Sequence, residues 1–156
     1  TGLEFMSNGY QIDASIRGGL QLIGSPTITT EMDVMATISA PLSGAGGIIK
    51  DGAGTLVLSG ANTYLGSTAI NGGILSISSD ANLGTAPGAL VADQLTFDGG
   101  TLQVTASFAL DLNRGITLLS GGGAPGFDAR NAKRLGLSDL MGFRFHFRCL
   151  WLDQSG

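Results

Sequence analysis

Hydrophobic and polar positions alternate with a period of two in a series of short runs. In "GTLVL" (54–58), Leu56 and Leu58 point one way and Val57 the other. In "GTLQV" (100–104), Leu102 and Val104 share a face and Gln103 takes the opposite one; in "GILSI" (73–77), Leu75 and Ile77 oppose Ile74 and Ser76. Successive side chains of a strand leave on opposite faces, so each run predicts a short β-strand with one narrow apolar face and one face of Ser, Thr or Gln. Thr, Ser, Val, Ile, Gly and Asn dominate most of the chain, which favours strands and turns over helices.

The runs share a lead-in. "GGLQLIG" begins at Gly18, "AGTLVLSG" at Ala53, "GGILSISS" at Gly72, "GGTLQVTA" at Gly99 and "RGITLLSG" at Arg114. Each is a small or turn residue, a glycine and a strand, and the second glycines lie 35, 19, 27 and 15 residues apart. The glycine is expected to supply a turn with positive φ. One such strand cannot bury its apolar face alone, but strands at this spacing can pair edge to edge as parallel coils. The result is an all-β solenoid, a parallel β-helix rising roughly 4.8 Å per coil. An antiparallel sandwich is the other architecture open to short strands with glycine turns, with "NGG" at Asn71 as a hairpin turn. The solenoid is preferred because the units resemble one another, which a sandwich does not require.

Charge supports stacking. Residues 52–79, 28 in a row, carry no Asp, Glu, Lys, Arg or His. Like charges on adjacent coils repel, whereas stacked Leu, Val, Thr or Asn attract. Charged residues make up 13% of the chain, about half the usual share. The formal net charge of −4 gives no footprint for nucleic acid. A single Cys, Cys149, excludes a disulfide framework and a Cys-based zinc site. There is no apolar run of about 18 residues and no secretory leader pattern, and the chain reads as a piece of something longer.

Composition changes near Gly123. Residues 1–123 hold three basic and nine acidic residues; residues 124–156 hold five basic and three acidic ones, and with them His146, Cys149 and Trp151. The expectation is a β-helix over 1–123 with a repeat core at 44–84, and an atypical tail over 124–156. The tail is read as a cap, with a helix at "DARNAKRLGLSDLMG" followed by a strand, or as a frameshifted or vector-derived end. Its "FRFHFR" (143–148) alternates aromatic and basic residues, a pattern of membrane or nucleic-acid contact, but an edge strand or a mistranslated origin is preferred.

Candidate chemistry is thin. "GAGGIIKDGAG" lacks the GxxxxGK[ST] of a phosphate loop, and Ile49 breaks GxGxxG. A Ser/His/Asp triad would need His146, the only histidine, and no GxSxG is present. The remaining catalytic arrangement is a carboxylate cluster of Asp80, Asp93, Asp98 and Asp111 with Arg114 nearby, acting on a polysaccharide. Asn62, Asn71 and Asn82 are expected at coil corners as turn caps or an internal amide ladder, and Tyr64 as a packed corner aromatic.

The stretch "GAGGIIKDGAGTLVLSGANTYLGSTAINGGILSISSDANLG" (44–84) strongly resembles the passenger-associated transport repeat of bacterial autotransporters. The matching positions are Gly54, Thr55, Leu56, Leu58, Ser59, Gly60, Asn62, Thr63, Tyr64, Gly66, Thr68, Gly73 and Leu75. Residues 95–123 look like the segment that often follows such a repeat; residues 1–43 carry no diagnostic motif, and the tail departs from the pattern. The resemblance implies a right-handed parallel β-helix on the passenger of a type V secretion system. Such a passenger is exported through the outer membrane of a Gram-negative bacterium by a C-terminal β-barrel translocator and displayed at the cell surface. It implies a stem that assists its own secretion and folding, with adhesion or autoaggregation through a host surface or sister passengers, and no catalytic residues, cofactor or metal. A fragment of a β-helix polysaccharide lyase or hydrolase is the alternative.

Overall fold

The structure, a computed structural model, describes residues 2–119 other than 14, 16 and 17. The strands are β1 (Gly2–Phe5), β2 (Gln11–Ile12), β3 (Leu20–Gln21), β4 (Thr27–Thr30), β5 (Met35–Ile38), β6 (Leu42–Ser43) and β7 (Ile48–Asp51). They continue with β8 (Thr55–Leu58), β9 (Thr68–Ile70), β10 (Ile74–Ile77), β11 (Val91–Phe97), β12 (Thr101–Val104) and β13 (Arg114–Leu118). A 3₁₀ turn at Asp80–Leu83 is the helical element among the described residues. Every strand pairing is parallel. One sheet runs β1-β4-β7-β9-β11-β13, a second β2-β5-β8-β10-β12, and a short third pairs β3 with β6. The chain thus winds as a β-solenoid of about five turns.

Register defines the coil. On the first sheet, Leu3, Ile28, Lys50, Ile70, Phe97 and Leu118 stand one above another. Successive coils therefore take 25, 22, 20, 27 and 21 residues. On the second sheet the inward stacks are Ala36–Leu56–Leu75–Leu102 and Ile12–Ile38–Leu58–Ile77–Val104. Leu56, Leu58, Leu75 and Ile77 are fully buried, each worth about 1.5–3 kcal/mol relative to exposure. The sandwich is excluded by the parallel pairing, because a hairpin at Asn71 would have made β9 and β10 antiparallel neighbours. Instead they lie on different sheets.

The glycine-led units are not all equivalent. Those at Gly54, Gly73 and Gly100 precede Thr55, Ile74 and Thr101, which share one register on the second sheet, so their 19- and 27-residue spacings are true coil lengths. The unit at Gly19 opens β3 on the third sheet, and Gly115 lies inside β13 on the first. The 35- and 15-residue spacings therefore compare different faces of the coil. Nor is positive φ the common reason for glycine. Gly73 has φ +59, but Gly54 does not lie in that region; there a Cβ would stand 2.2 Å from the Glu31 carbonyl oxygen and 2.4 Å from that of Val34. What Gly54 supplies is room for the coil below to pass.

Candidate functional site

The repeat stretch keeps its alternation far beyond β8. From Gly54 to Tyr64, even-numbered residues are buried and odd-numbered ones exposed or half-buried. The motif positions divide accordingly. Gly54, Leu56, Leu58, Gly60, Asn62, Tyr64, Thr68 and Leu75 are buried; Thr55, Gly66 and Gly73 are half-buried; Ser59 and Thr63 face outward. The motif thus names chiefly residues directed into the solenoid, polar ones included.

Two buried asparagines, Asn62 and Asn82, stand at one corner, where the third side of the coil is built. The Leu42 amide donates to Asn62 Oδ1 at 2.9 Å, and Asn62 Nδ2 donates to the Asn82 carbonyl at 2.6 Å. One coil on, Asn82 Nδ2 donates to the Gly60 carbonyl at 2.9 Å, while its Oδ1 accepts the amides of Ser78 and Ser79, both at 2.9 Å. Asn62 and Asn82 form the expected amide ladder, in which side chains do the pairing that backbone does on the other two sides. Asn71 does not join it: it is exposed, in the turn between β9 and β10. Its sequence resemblance to the other two hid a difference of position within the coil.

Tyr64 is fully buried beside this ladder, and its hydroxyl lies 2.7 Å from Thr68 Oγ1. Burial pushes the phenol up to about 12. Gly84 lies against the ring, a Cβ there standing 2.9 Å from two ring carbons. Replacing Tyr64 by Phe keeps the packing and strands the Thr68 hydroxyl; a loss of about 1 kcal/mol is expected, read from urea unfolding midpoints.

The candidate catalytic cluster is only partly assembled. Arg114 holds the Asp80 carboxylate, while the Asp111 carboxylate accepts the Asn113 amide instead. Arg114 Nε and Nη2 donate to the Asp80 carboxylate at 2.9 and 3.1 Å, and the Asp111 amide donates to Asp80 Oδ1 at 3.2 Å. The guanidinium also donates to the carbonyls of Leu83 at 3.0 Å and Gly84 at 2.6 Å. Those carbonyls lie on the third side of the coil, and Arg114 supplies their donors by side chain rather than by backbone. It is buried and committed to that task. Asp93 is exposed on β11 and Asp98 lies in the turn after it; neither appears among the partners of Arg114. A polysaccharide-cleaving pair needs two carboxyl groups free to face a substrate, and here the Asp80 carboxylate is paired with an arginine.

One buried residue had no assigned role in the sequence reading. Lys50, which looks like the charged boundary of the uncharged stretch, sits in the inward stack between Ile28 and Ile70 with no exposed surface. Its ammonium donates to three carbonyls: Asp51 at 2.6 Å, Gly52 at 2.9 Å and Gly72 at 3.1 Å. The last lies on the next coil, so the amine ties two coils together. Burial pulls its pKa down to about 8, with the neighbouring Asp51 charge opposing that shift. The signal available in sequence was its parity: Lys50 falls on the inward side of "IIKD", two residues after the buried Ile48.

Lys50 and Arg114 are the basic side chains of the described residues, and both are buried, while Glu4, Asp13, Glu31, Asp33, Asp51 and Asp93 are exposed. The surface charge of the described residues is therefore acidic. Among them no group of three or more His, Cys, Asp or Glu side chains is placed to hold a metal ion, and no helix is long and apolar enough to cross a membrane. The tail expectations, a cap or a frameshifted or vector-derived end over 124–156, lie outside the described residues.

Residues 48–77 match the family model described as the passenger-associated-transport-repeat. The chain is 40% identical over 128 residues, 78% of its length, to the adhesin BmaC autotransporter of Brucella suis biovar 1 (strain 1330). The chain spans 4% of the length of that relative. No solved structure matches it.

Proposed function

Since this chain is autotransporter passenger sequence, wound as a parallel β-solenoid around a passenger-associated transport repeat, we propose that it is a structural stem segment rather than an enzyme. In this reading it is exported through the outer membrane by the β-barrel translocator of a longer protein and stands at the cell surface. Its closing coils help draw the passenger out and hold it extended. The observation that carries the proposal is where the chemistry-bearing side chains go. Lys50, Asp80, Arg114, Tyr64, Asn62 and Asn82 are engaged with other parts of the coil, and the repeat motif serves folding rather than a cleft. The acidic, hydroxyl-rich exterior and the name of the relative, an adhesin, support a role in attachment to a host surface or to sister passengers.

The test is made in the full-length parent protein on whole bacteria, with two aspartate substitutions. Leu58→Asp puts a charge into the core, and Ser59→Asp puts one on the exterior. The stem reading expects surface display, measured by protease shaving of intact cells, to fall several-fold for Leu58→Asp and to hold for Ser59→Asp. Display at the normal level with Leu58→Asp would sink it. Adhesion through this segment expects Ser59→Asp to weaken attachment at unchanged display. The lyase or hydrolase alternative would require turnover of a polysaccharide that Asp98→Asn abolishes.

A further inference from the structure

The described residues contain two Asn-Gly sequences, Asn8-Gly9 and Asn71-Gly72, and the fold treats them oppositely. At the first, both reacting groups are tied down. Asn8 Nδ2 donates to the Asp33 carbonyl at 2.8 Å, Asn8 Oδ1 accepts the Met35 amide at 2.6 Å, and the Gly9 amide donates to the Met35 carbonyl at 3.3 Å. At the second, the Asn71 side chain is exposed and makes no hydrogen bond, and the Gly72 amide makes none either. Of the five asparagines among the described residues, Asn8, Asn62, Asn82 and Asn113 have bonded side-chain amides. A glycine after asparagine leaves the backbone nitrogen unobstructed by a side chain and its dihedrals free to bring that nitrogen to the carboxamide.

We propose that Asn71 is a site of spontaneous deamidation built into the repeat. The Gly72 nitrogen gives up its proton to solvent and attacks Asn71 Cγ; a C–N bond forms, Nδ2 takes a proton back from solvent, the Cγ–Nδ2 bond breaks and ammonia leaves. Water then opens the cyclic imide at one carbonyl or the other, leaving aspartate or isoaspartate. No oxidant or reductant takes part. The product has a particular setting. Asp51 follows Lys50, Asn71 follows Ile70 and Asp98 follows Phe97, and those three leaders share one register. The outward column therefore reads Asp51, residue 71, Asp98 on consecutive coils, and a carboxylate at 71 belongs to a coil about 4.8 Å from the coils that carry the other two. Like charges so placed repel. Where isoaspartate forms, its extra backbone atom also shifts Gly72, whose carbonyl holds the Lys50 ammonium.

The experiment is peptide mapping by mass spectrometry, with enzymatic isoaspartate methylation, after incubating the full 156-residue chain under mildly alkaline conditions with and without denaturant. In denaturant both Asn-Gly sites convert. In the folded chain Asn71 is expected to convert roughly tenfold or more faster than Asn8, whose amide must first be released by local opening. The Asn71→Gln variant, with an unchanged circular dichroism spectrum, accumulates no product at 71, and the converted fraction of the native protein unfolds at lower urea. Equal rates at the two sites in the folded chain, or suppression of conversion at Asn71 by folding to the level seen at Asn8, would overturn the proposal.

Discussion

Replacing Arg114 by alanine is expected to lower stability by about 3 kcal/mol and to open the coil that carries β13 before the rest. The figure is the cost of stranding one member of a buried, bidentate pair, taken at the low end because Asp80 is partly exposed. The change removes the donors to the Asp80 carboxylate and to the Leu83 and Gly84 carbonyls together, and β13 loses the anchor at its first residue. In a solenoid each coil contacts only its neighbours, so damage at one coil stays local. Limited proteolysis should therefore cut after Gly84 while β4 to β10 remain protected. Arg114→Lys keeps the charge but not the planar fork, and should recover only part of the loss. A uniform loss of protection along the whole chain would contradict the view that Arg114 caps one side of one coil.

Raising the pH is expected to stabilise this protein before it destabilises it. Below about pH 8 the Lys50 amine is charged both in the solenoid and in the unfolded chain, and burial of that charge opposes folding. Between about 8 and the ordinary lysine value of 10.5, the unfolded chain still holds a proton that the folded chain has released. The unfolded state then binds more protons, so stability rises with pH across this window, by about 3 kcal/mol at most. Tyr64 acts in the opposite sense. Its phenol ionises near 10 when unfolded but only near 12 when folded, so stability falls as pH rises from about 10. Urea midpoints measured from about pH 7 to about pH 12 at constant ionic strength should trace a maximum near the crossing of the two effects. Lys50→Met should erase the rise and Tyr64→Phe the fall. An identical rise in wild type and Lys50→Met would show that the buried amine is not its cause.

The stacking of this solenoid was legible because it follows from local rules. Alternation along "TLVL", "ILSI" and "TLQV" gave the inward residues of β8, β10 and β12, and the uncharged run over 52–79 marked where coils press on coils. The Asn62–Asn82 ladder and the packed Tyr64 were readable from polar and aromatic residues expected at coil corners, although Asn71 was grouped with them. Lys50 and Arg114 were not, since a basic residue in a sequence of low charge reads first as a solvated one. Each is buried only because carbonyls of other coils converge on it: Gly72 for Lys50, Leu83 and Gly84 for Arg114. Asn71 shows the converse, a residue of ladder type left outside because its place in the coil is a turn between sheets.

By itself, then, the sequence determined that these residues form short strands, which side chain of each strand faces inward, and that like positions stack in parallel. All three depend on period, glycine placement and charge, which act between neighbours along the chain. Only the tertiary structure decided which glycine-led units share a sheet, that Asp80 and Arg114 close a corner instead of opening a site, and that one lysine lies in the core. Those outcomes depend on coil lengths of 19 to 27 residues, which set what lies one turn above or below, and no local pattern encodes the length of a loop.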